Sequence, residues 1–280
     1  MRIVLLALVS GGVDSTTAAL HARREYCTEG VECYEYVLTV VYGQRHAREV
    51  EAARRFAEKY GFRFLLLEIP GLSAEKLLGA KVSALTDSIE VPESLESGRV
   101  PQTYVPQRNL VLLAHAAAVL EMLMTLHDAD LGVMSVGFHR SDWERGEPVY
   151  PDTRREFVDA VELAATLGSG RVFEGKSSVR IHAPFVDKPK WRIIEWGVRH
   201  GMDYSLAWSC YRGGERPCGR CPACISRLRA FMAAGIEDPL TPLYETLPDW
   251  YRKWLEDRRA CMEGDREACR RAEEASQAAR

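Results

Sequence analysis

Short apolar runs alternate with amphipathic stretches along most of this chain. Ile3-Val4-Leu5-Leu6-Ala7-Leu8-Val9 is the first run, Tyr36-Val37-Leu38-Thr39-Val40-Val41 the second, Phe62 to Leu67 the third, and Asp130 to Gly137 the fourth. Unbroken runs of this length mark strands buried on both faces. Helical spacing fills the gaps: a helix from about Asp14 to Tyr26, and one from Glu49 to Tyr60 with Ala52, Ala53, Phe56 and Ala57 on one face. Leu110 to Leu126 is almost wholly apolar, which predicts a helix buried nearly all round, and Arg154 to Leu167 is helical again. His182 to Val186 reads as a short strand, and Asp187 to Trp191 starts a helix that runs to His200. Ser226 to Ala234 is helical and stops at Asp238-Pro239-Leu240; Trp250 and Trp254 then open a docking helix with a frayed, charged tail. Strands alternating with helices predict an α/β fold, a Rossmann-like, doubly wound and mostly parallel sheet with ligands at the carboxyl ends of its strands. The divisions drawn are an α/β domain over 1–205, a four-cysteine subdomain over 206–245, and a C-terminal helix and tail over 246–280.

The pattern weakens between Pro70 and Asn109, where Pro70, Pro92, Pro101 and Pro106 with Gly71, Gly79 and Gly98 punctuate the chain. A connection this long predicts a lid or rim, here containing Ser83-Ala84-Leu85-Thr86-Asp87. At 280 residues the chain can bury a sizeable core, and 37 basic against 40 acidic side chains imply no strong nucleic-acid or membrane field. The opening apolar run reads as a strand and not a signal peptide, and no stretch approaches the ~20 apolar residues of a membrane span. Of the eight cysteines, four lie between 210 and 224, and the others are scattered at 27, 33, 261 and 269. That distribution favours a metal in a reducing compartment over a disulfide framework.

The first strand breaks directly into Ser10-Gly11-Gly12-Val13-Asp14-Ser15-Thr16-Thr17. Adjacent glycines permit a tight turn, and the Ser/Asp/Ser/Thr cluster is expected to cap a helix whose first amides point outward as an anion site. No Gly-Lys-Ser/Thr follows, so this is not the ATPase P-loop; the nearer likeness is the SGGxDS pyrophosphate loop, whose enzymes split ATP between its α- and β-phosphates. An ordinary serine-capped turn is the plainer alternative. Arg108 and Asn109 open the long apolar helix, where a guanidinium and an amide suit a phosphate or a planar polar ligand, or equally a salt bridge and a cap. Phe138-His139-Arg140-Ser141-Asp142 ends the fourth strand, again where a ligand would lie. Lys190 sits in a first helical turn against the helix dipole; an ATP phosphate is one reason for it, and a solvated surface lysine the duller one.

Cys210, Cys218, Cys221 and Cys224 have glycine and proline between them. Four thiolates specify a closed tetrahedral site with zinc as default occupant and a structural role. An iron-sulfur cluster is the rival, and a redox Cys-x-x-Cys would leave two cysteines unexplained.

In this order SGGVDSTT, Tyr42-Gly43-Gln44-Arg45-His46, SALTD, TYVPQRN, Tyr150-Pro151-Asp152 followed by RREF, Ser209-Cys210-Tyr211, CGRC and IEDPL make the chain resemble the 7-cyano-7-deazaguanine synthase family, from about Ile3 to Leu240. The resemblance implies a HUP-type fold and a cytoplasmic homodimer using ATP, Mg²⁺ and Zn²⁺. It implies conversion of 7-carboxy-7-deazaguanine and ammonia to the nitrile for modified tRNA bases, with no stable nucleic-acid partner. Carried over residue by residue, Ser10, Gly11, Gly12, Val13, Asp14, Ser15 and Thr16 would hold ATP. Asp14, Ser15, Arg108 and Lys190 would be catalytic, and Tyr42, Gln44, Arg45, Arg108, Asn109, Asp142 and Asp152 would meet the substrate. The chain departs from the family pattern in a longer segment from Ser141 to Tyr150 and at Thr153, Arg155 and Ala207, near the expected base pocket. Two other readings share the loop: a related adenylating enzyme acting on tRNA or protein, and a zinc-containing binding module without ATP turnover, against which an intact SGGVDSTT argues.

Overall fold

A computed structural model describes residues 1–43, 47–94, 98–142 and 149–280. Five parallel strands, β1 (Arg2–Leu8), β2 (Glu32–Val41), β3 (Arg63–Glu68), β4 (Leu131–Ser135) and β5 (Ser178–His182), form one sheet in the order β3-β2-β1-β4-β5. Successive residues of β1 serve opposite faces: Ile3, Leu5 and Ala7 join one core cluster, Val4 and Leu6 the other. The first face is covered by α1 (Val13–Tyr26), α2 (Ala47–Tyr60), α7 (Lys190–Arg199) and α8 (Pro222–Ala233); the second by α4 (Arg108–Leu126), α5 (Arg155–Gly168) and the short α6 (Gly170–Phe173). Because the chain winds from β1 outward to β3 and then returns beside β1 as β4, the direction of winding reverses between β1 and β4. The carboxyl ends of these strands therefore open a crevice.

Five expectations are corrected. β5 ends at His182 instead of starting there: the buried Ala183, Phe185 and Val186 follow it outside the strand, and burial alone made them look like a strand. Helix α4 is not buried all round. It packs Leu113, Ala116, Leu120 and Met124 on the sheet but exposes Leu110, Met122 and Leu126. By length and composition this 19-residue helix could cross a membrane, contrary to the sequence reading. The tail after Trp254 is folded: α9 (Asp249–Met262) and α10 (Arg266–Ala278) pack together through Ala268, Ala272 and Ser276, with Trp254 Nε1 donating to Ser276 Oγ at 3.0 Å. Finally, the four outlying cysteines, read in the sequence as merely scattered, pair as Cys27–Cys33 and Cys261–Cys269.

The segment between β3 and α4 carries the short α3 (Ala74–Leu78) and is organised by Asp87. Its buried carboxylate accepts from the amides of Glu75, Val82 and Ser83 and from Ser73 Oγ. Burial pushes this acid up, yet those donors hold it well below the usual carboxylate range. Ala84 and Val91 then pack against the four-cysteine region and α9.

Candidate active site

The crevice is a cavity of about 880 Å³, lined by the loop after β1, the ends of β2 and β4, and the starts of α4 and α7. Gly11 turns the loop at φ +83°, and a Cβ there would stand 2.3 Å from the Glu49 carbonyl oxygen, so α2 closes directly over the turn. The expected side-chain cap is not formed. Gly12 is the N-cap, and the hydroxyls of Ser10 and Ser15 bond back to the loop itself, Ser10 N donating to Ser15 Oγ at 3.2 Å. The first-turn amides of α1 therefore have no side-chain cap, the arrangement an anion uses. Gly137, just beyond β4, approaches α1 so closely that a Cβ would lie 2.5 Å from Ser15 N.

Asp14 anchors an ionic chain. Lys190 Nζ donates to Asp14 Oδ2 at 2.7 Å, and His139 Nε2 stands 3.5 Å from the same oxygen and 3.4 Å from Asp142 Oδ1. Lys190 is mostly buried here and not the surface lysine of the duller reading. Burial pushes Asp14 up, but Lys190 and His139 outweigh it and hold the carboxyl well below its usual range; Asp142, more dominated by burial, is raised.

On the opposite wall Arg108 Nε donates to Asn109 Oδ1 at 3.2 Å. Asn109 donates its own amide to Asp152 Oδ2 at 3.2 Å and Nδ2 to the Asp152 carbonyl at 3.1 Å. Burial opposes the Arg108 charge, but Tyr42, Tyr211 and Asp152 keep it strongly protonated. Of the residues singled out in the sequence, Ser10, Gly12, Val13, Asp14, Ser15, Tyr42, Arg108, Asn109, Asp142 and Lys190 line the cavity. Gly11, Thr16 and Asp152 stand behind that lining, Thr16 Oγ1 donating to the Gly12 carbonyl and Asp152 bracing Asn109. Gln44 and Arg45 lie outside the described residues.

The sequence reading gave no site role to Glu49, Tyr150, Trp208 and Tyr211, which also line the cavity. Burial pushes Glu49 up to about 7 against the pull of Arg108. An acid in the first turn of a helix has an ordinary explanation in the helix dipole, so no local signal marked it.

Away from the cavity, the sulfurs of Cys210, Cys218, Cys221 and Cys224 converge within 4.8 Å of one another, all four side chains buried. A buried set of four soft donors with no carboxylate or imidazole among them fits zinc.

The family model described as queuosine biosynthesis protein QueC matches residues 4–235. The chain belongs to this family. It is 37% identical over 257 residues to the 7-cyano-7-deazaguanine synthase of Thermoplasma acidophilum, covering 91% of this chain and 97% of the relative. It is 42% identical over 237 residues to the same-named protein of Azoarcus sp. strain BH72, covering 84% and 94%. Among solved structures, NMN synthetase from Francisella tularensis aligns over 84% of this chain and 77% of its own at 12% identity, with a TM-score of 0.40.

Proposed function

We propose that this protein is an ATP-dependent ligase that converts 7-carboxy-7-deazaguanine and ammonia to 7-cyano-7-deazaguanine. The observation carrying this reading is the Lys190–Asp14–His139–Asp142 chain beside the uncapped start of α1, in the crevice where this sheet would bind a nucleotide. Family membership supplies the substrate class.

In this reading the α1 amides, Ser10 and Ser15 receive the phosphates, and Lys190 and Arg108 oppose their charge. A carboxylate oxygen of the substrate attacks the α-phosphorus of ATP, and the bond to the β-phosphate breaks to release pyrophosphate. Ammonia then displaces AMP at the acyl carbon to give the amide and a proton. A second ATP activates the amide oxygen in the same way, with release of pyrophosphate and of one N–H proton, and departure of AMP with loss of the second N–H proton leaves the nitrile. No protein nucleophile is required, so positioning and fixed charge do the catalysis. Asp14 Oδ1 is buried with no hydrogen-bond partner, and Asp142 is a second carboxylate in the same chain, a donor pair suited to Mg²⁺. When bound, that ion would neutralise charge on the departing pyrophosphate. The four cysteines would hold zinc as a structural ion.

The exposed Met122 and Leu126 of α4 and Leu163 and Leu167 of α5 form the surface we assign to a second copy in a homodimer, in a protein working in the cytoplasm with no stable nucleic-acid partner. The deciding experiment incubates purified protein with ATP, ammonium and 7-carboxy-7-deazaguanine and follows product mass. The nitrile and AMP should appear together, whereas AMP release with a macromolecular acceptor alone, or no AMP at all, would remove this reading.

A further inference from the structure

A second cluster of metal-ligating side chains lies outside the catalytic cavity. His21 and Glu25 are one turn apart on the same face of α1, and His182 is the last residue of β5, the edge strand of the sheet. His21 Nδ1 is 3.0 Å from His182 Nε2, and Glu25 Oε2 is 3.6 Å and 3.9 Å from those two nitrogens. These edges enclose a point about 2.1 Å from all three atoms, the distance at which imidazole nitrogen and carboxylate oxygen hold a divalent metal. We propose that His21, Glu25 and His182 bind a divalent transition-metal ion that ties α1 to the edge of the sheet, separate from the four-cysteine cluster.

The two rings are held in place by packing before any ion arrives. His21 lies against Trp196 with centroids 4.8 Å apart and edge-on to Phe185 at 5.5 Å, and Tyr26 stands edge-on to His182 at 5.2 Å. A cavity of about 350 Å³ opens over the cluster and leaves the remaining coordination positions to water. Arg155 on its rim does not oppose the ion with a free charge, since its Nη2 is paired with Asp187 Oδ2 at 2.7 Å. Two imidazoles and one carboxylate select Zn²⁺, Co²⁺ or Ni²⁺ over Mg²⁺ or Ca²⁺.

The test uses the full chain with its cysteine site already filled, titrated with Zn²⁺ by calorimetry and, in parallel, with Co²⁺ by visible spectroscopy. Wild type should bind about one further equivalent per chain, without the thiolate-to-cobalt charge-transfer band of a cysteine site. His21→Gln should weaken this equivalent about tenfold or more, and Glu25→Gln should weaken it too, each at unchanged cysteine-bound metal. His182 is buried and its replacement risks the fold, so the two α1 variants, checked by circular dichroism, carry the decision. No further equivalent on wild type, or unaltered binding by folded His21→Gln, would overturn the proposal.

Discussion

Asp14 is where the charge of the candidate site is concentrated. Its carboxylate is answered by Lys190 from α7 and by His139 from the segment after β4, so one side chain joins three parts of the chain that share no local sequence. Replacing it by asparagine keeps the shape but removes the charge that orders Lys190. Asp14→Asn should lower the rate of pyrophosphate release by ~100-fold or more, the scale on which preorganised charge acts in a closed site. A melting curve run beside the assay should show that the variant folds, and unchanged turnover would mean that this loop is not where ATP reacts. The Asp14 side chain was legible as chemistry from the sequence because of its place in Ser10 to Thr17. Its partner Lys190 was ambiguous there, since a lysine in a first helical turn reads the same whether it faces solvent or a buried carboxylate.

Among the elements, the segment between β3 and α4 depends on one acid, Asp87. Its carboxyl is depressed in the folded protein below its ordinary 3.8, so its contribution is fully present above that value and is lost as pH falls through the folded value. Amide exchange across residues 73–88 should therefore accelerate selectively below about pH 4, and Asp87→Asn should show that acceleration at neutral pH. A second junction holds α8 to the rest. Arg227 and Asp238, both fully buried, form a bidentate pair at 2.7 and 2.8 Å, and Arg227 also donates to the carbonyls of Tyr204 and Ala207. Arg227→Met should cost about 3 to 5 kcal/mol in chemical denaturation, because it strands a buried carboxylate and two carbonyls together. A loss below about 1 kcal/mol would show the pair to be dispensable.

For the molecule as a whole, the four-cysteine cluster belongs to a third core with Trp208 and with Tyr251 and Trp254 of α9. Stripping its metal with a strong chelator should lower the melting temperature and open 206–280 to protease before the sheet, and simultaneous loss of both regions would contradict a local role. Hydrophobic pattern made β1 to β4 and α1, α2, α4, α5 and α7 readable, because strands buried on both faces and amphipathic helices each leave a periodic trace. It misplaced β5, where a buried turn and a buried strand have the same composition, and it missed α10, whose contact stripe of Ala268, Ala272 and Ser276 carries almost no hydrophobic signal. By itself the chain specified an α/β sheet, the loop from Ser10 to Thr17 at a strand's carboxyl end, and a cluster of thiolates, since each is local and rests on spacing. Only the tertiary structure decided that Asp14 meets Lys190, that Arg108 is backed by Asn109 and Asp152, that Glu49 faces the same cavity, and that His21 and Glu25 meet His182. Those pairings join residues up to 176 positions apart, and their charges are set by burial, which no short stretch of sequence contains.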